Sequence, residues 1–194
     1  MTVKKARYAV SSVILAAFAA IASQSATAQA LSGRYSITRQ GSVAICVNPT
    51  SKAQEACSTS GAVVVPLTNI ANGSITYSSG IGCGTITEVL NTLPPSGSPP
   101  MLNPVTAVIK QLTYDPSTGI GTASYTGYSG GSCKGASFVS KGATEEVAGT
   151  EQFVVTDGGN RLVIVITQLN SPINSLGSVS LADTDLRLKP RNPQ

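Results

Sequence analysis

The segment Gly127-Tyr128-Ser129-Gly130-Gly131 matches the pattern G-x-S-x-G, in which many hydrolases carry a nucleophilic serine on a sharp turn between a strand and a helix. Such a serine needs a base within hydrogen-bond reach. The chain contains no histidine and no S-x-x-K motif that would supply a lysine instead. The flanking residues also favour strands on both sides. We therefore interpret Ser129 as part of a β-turn beside Cys133 and predict no catalytic residue in the chain.

Carboxylates are the next candidates, because a facing pair can hydrolyse a glycoside and a cluster can hold calcium. Asp183 and Asp185 alternate along a predicted strand and so point to one side, but the further ligands and the glycine of a calcium loop are missing. We expect them at a solvated strand end or paired with Arg187. Glu88 and Glu151 lie within apolar strand patterns, where we expect an outward face, although either one pointing inward would be a cavity residue. We predict no metal site and no cofactor.

The aromatic residues give the only indication of a binding cavity. Several lie in predicted strands, where the ordinary position is the core or a half-exposed sheet surface. A closed barrel of about eight strands is just wide enough to hold one small ligand. The residues that could line such a cavity are Tyr35, Glu88, Tyr125, Glu151 and Phe153.

The chain has four cysteines, an even number that predicts two disulfides if the protein is exported. Three pairings are possible. We favour Cys46 with Cys57, which flank a short polar loop, and therefore Cys83 with Cys133. The competing interpretation is a zinc site, but the spacing contains no C-x-x-C pair and no histidine completes it.

The N-terminal residues have the features of a secretory signal peptide. Three basic residues precede an apolar run at 10–22, and Ala26-Thr27-Ala28 fits the cleavage rule. We predict a signal peptide at 1–28, cleavage after Ala28 (second choice Ala30) and a periplasmic or secreted protein. A retained N-terminal helix or anchor is the alternative. The remaining chain has ten basic and nine acidic residues and no basic cluster, so we predict no nucleic-acid partner. It has too few aromatic residues for the girdles of a membrane-spanning barrel, so we predict no integral membrane association after cleavage.

Residues 29–194 alternate β-branched and aromatic runs with turn residues, which predicts a single all-β domain of roughly eight to ten strands. Turns are expected at 115–119 and at Asp157-Gly158-Gly159-Asn160, where glycine supplies a positive φ. Asn72-Gly73-Ser74 is expected to be another turn. The proline-rich segment at 91–104 is expected to be a surface loop, because prolines disrupt central strands. We predict a single antiparallel up-and-down β-barrel of about eight strands, with a β-sandwich as the alternative.

Three segments, "LSGRYSITRQGSV", "IKQLTYDPSTGIGTASYTG" and "EQFVVTDGGNRLVIVITQ", resemble a loose group of exported bacterial proteins of unknown function. The resemblance lies in a G-x-Y first strand, in the central hairpins and in a late F-V-V-x-D-G-G hairpin. It implies a lipocalin-like (calycin-like) barrel and, by analogy alone, the binding of a small apolar molecule.

Three classes of function follow as hypotheses. The first is a barrel that binds a small hydrophobic molecule. The second is a structural or adhesive surface domain without a small-molecule ligand, acting through its exterior or an edge strand. The third is an isomerase or lyase that uses Glu88, Glu151 or a tyrosine, which needs a strongly perturbed carboxylate in a cavity.

Overall fold

The computed structural model describes residues 29–92 and 101–189. The predicted signal peptide at 1–28 and its cleavage site therefore lie outside the described residues. The described chain forms eleven strands and one short 3₁₀ turn. The elements are β1 (Gly33–Val47), β2 (Val63–Ser78), β3 (Ile81–Thr92), β4 (Met101–Tyr114), β5 (Ile120–Ser129), β6 (Ser132–Lys134), β7 (Ser137–Val139), β8 (Thr144–Thr156), η1 (Asp157–Gly159), β9 (Arg161–Ile166), β10 (Leu169–Asn170) and β11 (Leu176–Arg187).

Eight of these strands form a closed antiparallel barrel. The order around it is β1, β2, β3, β4, β5, β8, β9 and β11, and β11 pairs back to β1. Each strand therefore lies beside its sequence neighbours, which confirms the up-and-down barrel and excludes the β-sandwich. The short strand β10 is an additional partner of β8. No helix in residues 29–92 and 101–189 is long and apolar enough to cross a membrane.

Short turns close one end of the barrel, which we call the tight-turn end. Both predicted hairpins are there: residues 115–119 join β4 to β5, with Gly119 at φ 73°, and η1 joins β8 to β9, with Gly158 at φ 59°. The Tyr35 hydroxyl donates a hydrogen bond of 2.6 Å to the carbonyl of Gly159. Residues 29–31 also cover this end, where Gln29 forms a β-bridge with Tyr114. The tight-turn end is therefore sealed by backbone and side chains.

Long connections lie at the other end, which we call the mouth. Among the described residues they are 48–62, the segment containing β6 and β7, and the segment containing β10. The Cys46–Cys57 disulfide ties the first of these connections to β1. Cys57 N–H also donates to the carbonyl of Asn174, which joins residues 48–62 to the segment before β11. The barrel thus has one sealed end and one end framed by stapled loops.

Both predicted disulfides are confirmed. Cys46 is bonded to Cys57 across 11 positions, and Cys83 to Cys133 across 50 positions. The second bond holds the β6–β7 hairpin near the outer face of β3. Phe138 of that hairpin stacks on Tyr128, with ring centroids 4.5 Å apart. The hairpin is an external flap on the wall and does not enter the barrel.

Two predictions about irregular segments are wrong. Asn72-Gly73-Ser74 continues β2, and a Cβ atom at Gly73 would clash with the backbone of Thr85 and Ile86, so this glycine permits close strand approach. The proline-rich loop is shorter than 91–104, because β3 extends to Thr92 and β4 starts at Met101. Pro104 pairs with Thr87 inside the ladder. An antiparallel ladder alternates hydrogen-bonded and non-hydrogen-bonded pairs, so some of its positions require no N–H donor. Residues 93–100 lie outside the described residues.

The interior near the tight-turn end is packed with side chains, and we call it the filled half. Large inward residues face glycines on the next strand: a Cβ atom at Gly82 would lie 2.7 Å from the Tyr77 ring, and one at Gly121 would clash with Phe153. Tyr35 and Tyr77 meet edge to face with centroids 5.3 Å apart. Alternation of large and small residues therefore fills this part of a narrow barrel.

Candidate ligand-binding site

Strand register places a row of polar side chains across the middle of the barrel. Arg39 of β1 pairs with Asp183 of β11 on one side and with Ala71 of β2 on the other, and Ala71 pairs with Glu88 of β3. All four positions share the inward face, because side chains directly opposite each other in a ladder lie on the same side. The small side chain of Ala71 leaves room for Arg39 to reach Glu88.

Arg39 is the centre of this row and is almost completely buried, with 1% of its surface exposed. Its Nε and Nη2 atoms donate to the two carboxylate oxygens of Asp183 at 2.8 and 2.7 Å. Its Nη1 atom donates to Glu88 Oε1 at 3.2 Å. The guanidinium carbon also lies 5.3 Å from the centroid of the Tyr125 ring. All three guanidinium nitrogens are therefore engaged within the protein.

Electrostatics keep this arginine charged in spite of its burial. Burial alone would lower the pKa of Arg39, but Tyr125 and the carboxylates of Asp183 and Glu88 outweigh that effect and raise it well above its ordinary value. The bidentate geometry with Asp183 is the strongest form that an arginine–carboxylate pair takes. A buried pair of this kind fixes the positions of its partners, because leaving either one alone in the interior is costly.

Two further acidic residues point inward beside this row. Burial, reinforced by the negative charge of Asp183, raises the pKa of Glu151 to about 8. Burial and the same charge raise the pKa of Asp185 to about 7, although its Oδ2 atom accepts a 3.0 Å hydrogen bond from the Tyr77 hydroxyl. We call Arg39 and the four acidic residues the charged layer; its acidic members are Glu88, Glu151, Asp183 and Asp185. The described residues contain no group of three or more His, Cys, Asp or Glu arranged to hold a metal ion.

A cavity of about 570 Å³ extends from the charged layer to the mouth. Its volume lies within the range of about 300–1,000 Å³ that small-molecule sites occupy. Its floor presents polar groups from Arg39, Asn69, Glu88 and Tyr125. Its wall is largely aliphatic and includes Val43, Leu67, Leu90, Val147, Leu176 and Leu181.

The mouth of the cavity combines apolar and acidic residues. Leu102 lines the opening with 71% of its surface exposed, and Ile173 lies there with 49% exposed. Glu145 and Glu146 of β8 lie at the same opening. A molecule bound here would place a body against aliphatic walls and one end against the polar floor.

Asn69 on the floor has a buried hydrogen-bond acceptor without a partner among the described residues. Only 3% of the residue is exposed, and its Oδ1 atom has no hydrogen-bond partner within the described part of the chain. A buried acceptor without a partner costs roughly 1–3 kcal/mol, so a water or a bound molecule that donates a hydrogen bond to Asn69 Oδ1 would recover that free energy. Gly41 lies directly across from Asn69 in the ladder, and Leu181 lies against Gly41 on the other side.

The predicted cavity-lining residues divide between three places. Glu88 and Tyr125 line the cavity. Tyr35 and Phe153 are buried in the filled half instead. Glu151 is buried in the charged layer and is not among the residues that line the cavity. The expectation that Glu88 and Glu151 face outward is wrong for both, because each lies at one of the alternate positions of its strand that point into the barrel.

The expectations for the aspartates and for the serine have opposite outcomes. Asp183 and Asp185 do point to one side, but they are buried and contact Arg39 and Tyr77, so a solvated or Arg187-paired strand end is wrong. Ser129 is exposed where β5 ends, and a turn leads from it into β6. The strand–turn–strand context predicted for Ser129 is confirmed.

Sequence reasoning missed Arg39 and Asn69. A signal for Arg39 was present, since Tyr35, Ile37 and Arg39 alternate along β1 and the first two are apolar. Asn69 likewise follows Leu67 by two residues and precedes Ala71 by two. A charged or amide residue that continues an apolar alternation points into the barrel.

Comparison of the chain with protein-family models, with curated proteins and with solved structures finds no match.

Proposed function

We propose that this protein is an exported carrier that binds one small, elongated, largely apolar molecule inside its barrel. The observation that supports this most directly is the half-filled interior: side chains pack one half, while aliphatic walls enclose a cavity of about 570 Å³ in the other. Small-molecule sites are typically apolar cavities with a few convergent polar groups, and the mouth of a β-barrel is a frequent location for them.

Binding fits the site better than catalysis. The carboxyl groups with raised pKa values, Glu151 and Asp185, are not among the residues that line the cavity, so a bound molecule would not reach them. Glu88 does face the cavity, but it is held by Arg39. An isomerase or lyase needs its acid or base in contact with the substrate.

A structural or adhesive role through an edge strand finds little support. Pairing with a partner strand needs unpaired backbone groups at a sheet edge. The eight barrel strands of the described chain are all paired on both sides. An adhesive role would therefore depend on the exterior surface alone.

Export is part of the same proposal. The signal peptide proposed at 1–28 would direct the chain to the periplasm or the outside of the cell. The Cys46–Cys57 and Cys83–Cys133 bonds support this proposal, because disulfides persist in oxidising compartments.

Fluorescence titration with N-phenyl-1-naphthylamine, a neutral apolar probe, tests the binding proposal. We expect the probe to bind the wild-type protein at the cavity. Leu90→Trp fills the cavity from its wall and should weaken binding at least tenfold. Thr87→Trp is the matched control, because it places the same side chain on the exposed outer face of the same strand and should leave affinity unchanged. No probe binding to the wild type, or equal effects of the two variants, would contradict the proposal.

A further inference from the structure

The cavity floor presents hydrogen-bond acceptors from Glu88 and Asn69. Arg39 is the only cation among the described residues that line the cavity, and three of its five N–H groups donate to Asp183 and Glu88. The Asn69 Oδ1 atom is buried and has no partner among the residues described. A ligand that reaches the floor can therefore donate a hydrogen bond to this oxygen.

The charges in this row also favour a positive ligand. One guanidinium faces two carboxylates, Asp183 and Glu88, so the row carries a net negative charge. Glu88 retains 13% side-chain exposure and lines the cavity, whereas Asp183 has 3% side-chain exposure and is not among the lining residues. A carboxylate head at the floor would lie beside Glu88. Like charges in a buried site are costly.

Asn69 and Glu88 are placed to act together. Asn69 pairs with Leu90 in the β2–β3 ladder, and Ala71 pairs with Glu88, so Asn69 and Glu88 are diagonal neighbours on one face. Such positions lie roughly 7–8 Å apart. An ammonium group between them can donate to both side chains, because it carries three rotatable N–H donors.

We infer that the barrel selects amphiphilic amines, with the ammonium head held at the floor by Glu88 and Asn69 and the apolar body along the aliphatic wall. This inference rests on the proposed binding function and adds the chemical class of the ligand. The wall contributes affinity through apolar burial, and the floor contributes the choice of head group. The acidic residues at the mouth, Glu145 and Glu146, would also attract a cation on its way in.

Competition with three ligands of equal chain length tests the inference. Decylamine, decanol and decanoate, each kept below its aggregation threshold, compete with N-phenyl-1-naphthylamine on the full-length mature protein at neutral pH. We expect decylamine to bind at least tenfold more tightly than decanoate, with decanol between them. Decanoate binding as tightly as decylamine would overturn the inference while leaving the proposed function intact. Failure of the probe itself to bind would instead contradict the proposed function.

Three isosteric variants locate the head group. Glu88→Gln should weaken decylamine binding about tenfold and change decanol binding little, since only the charged contact is lost. Asp157→Asn removes the same charge at the tight-turn end, away from the cavity, and should leave both affinities unchanged. Glu145→Gln tests the mouth, where a loss as large as that of Glu88→Gln would place the ammonium at the opening and overturn the assignment to the floor. Circular dichroism of each variant verifies that it is folded.

Discussion

The filled half and the cavity are built from the same eight strands and differ in the side chains that point inward. Near the tight-turn end the inward residues include Tyr35, Tyr77 and Phe153, which occupy the barrel axis. Nearer the mouth they include aliphatic residues such as Val43 and Leu90, which leave the axis open. The charged layer separates the two. The cavity therefore exists because no large side chains fill the barrel between the charged layer and the mouth. The filled half holds the charged layer in place.

Disrupting the charged layer should have the largest effect on the free energy of unfolding. Arg39→Met deletes the only buried cation of the described residues and leaves Asp183 and Glu88 as unpaired carboxylates in the interior. We expect a loss of about 3–5 kcal/mol in the free energy of unfolding, measured by urea denaturation. Adding Asp183→Leu to this variant should recover part of the loss. A loss below about 1 kcal/mol would show that water reaches the layer, and the distinction between the halves would fail.

The two disulfides should differ in their effects on the stability of the protein and on access to the cavity. By chain entropy, loops of 11 and 50 residues correspond to roughly 3 and 4 kcal/mol. Replacing both Cys83 and Cys133 by alanine should therefore cost more stability. Replacing Cys46 and Cys57 should cost less but alter affinity for the probe, because this bond holds residues 48–62 at the mouth. Equal affinity for the probe in the two double variants would show that the Cys46–Cys57 bond does not affect binding at the mouth.

A matched pair of leucines compares the halves directly. Leu162 lies in the filled half with 0% exposure, and Leu67 lines the cavity with 2% exposure. Leu162→Ala should cost about 2–5 kcal/mol in urea denaturation, because packed neighbours surround the new void. Leu67→Ala should cost about half as much, since one side of Leu67 already lacks contacts. Equal losses would indicate that the cavity is collapsed in solution.

The boundary between the halves should also be visible as a pH dependence of the free energy of unfolding. The pKa of Glu151 is raised from 4.5 to about 8 in the folded protein, so the folded state binds a proton that the unfolded state releases across that interval. Stability should therefore fall as pH rises between these values. Glu151→Gln keeps the shape and removes this contribution while Asp183, Arg39 and Asp185 remain.

Urea denaturation of Glu151→Gln at two pH values measures the contribution. The variant should match the wild type near pH 4 and be the more stable of the two near pH 9. A constant difference at both pH values would mean that Glu151 ionises in the folded protein as it does in water.

Much of the fold could be predicted from sequence because it depends on local chemistry. Gly119, Gly158 and Gly159 adopt positive φ in turns that their neighbours signal. The Cys46–Cys57 bond closes a loop short enough to be inferred from spacing. These features need no knowledge of which distant strands pair.

The candidate site could be predicted only in part, because it depends on long-range register. Glu88 and Tyr125 were candidates from their residue types, but Tyr35 and Phe153 could not be told from them without knowing how far each lies from the mouth. The Arg39–Asp183 pair depends on the contact between the first and last barrel strands. A shift of one residue in that ladder would turn Arg39 outward, and sequence alone does not determine the register.

The pairing of β1 with β11 also affects the order in which contacts form during folding. Arg39 and Asp183 are 144 positions apart, whereas the hairpins join strands that follow one another directly. Local hairpins form readily, and contacts between distant segments are slow to form because long loops must close first. Asp183 reaches Arg39 only when the last strand docks on the first. Until then Arg39 lacks its bidentate partner, so the floor of the cavity is fixed in position only when folding is complete.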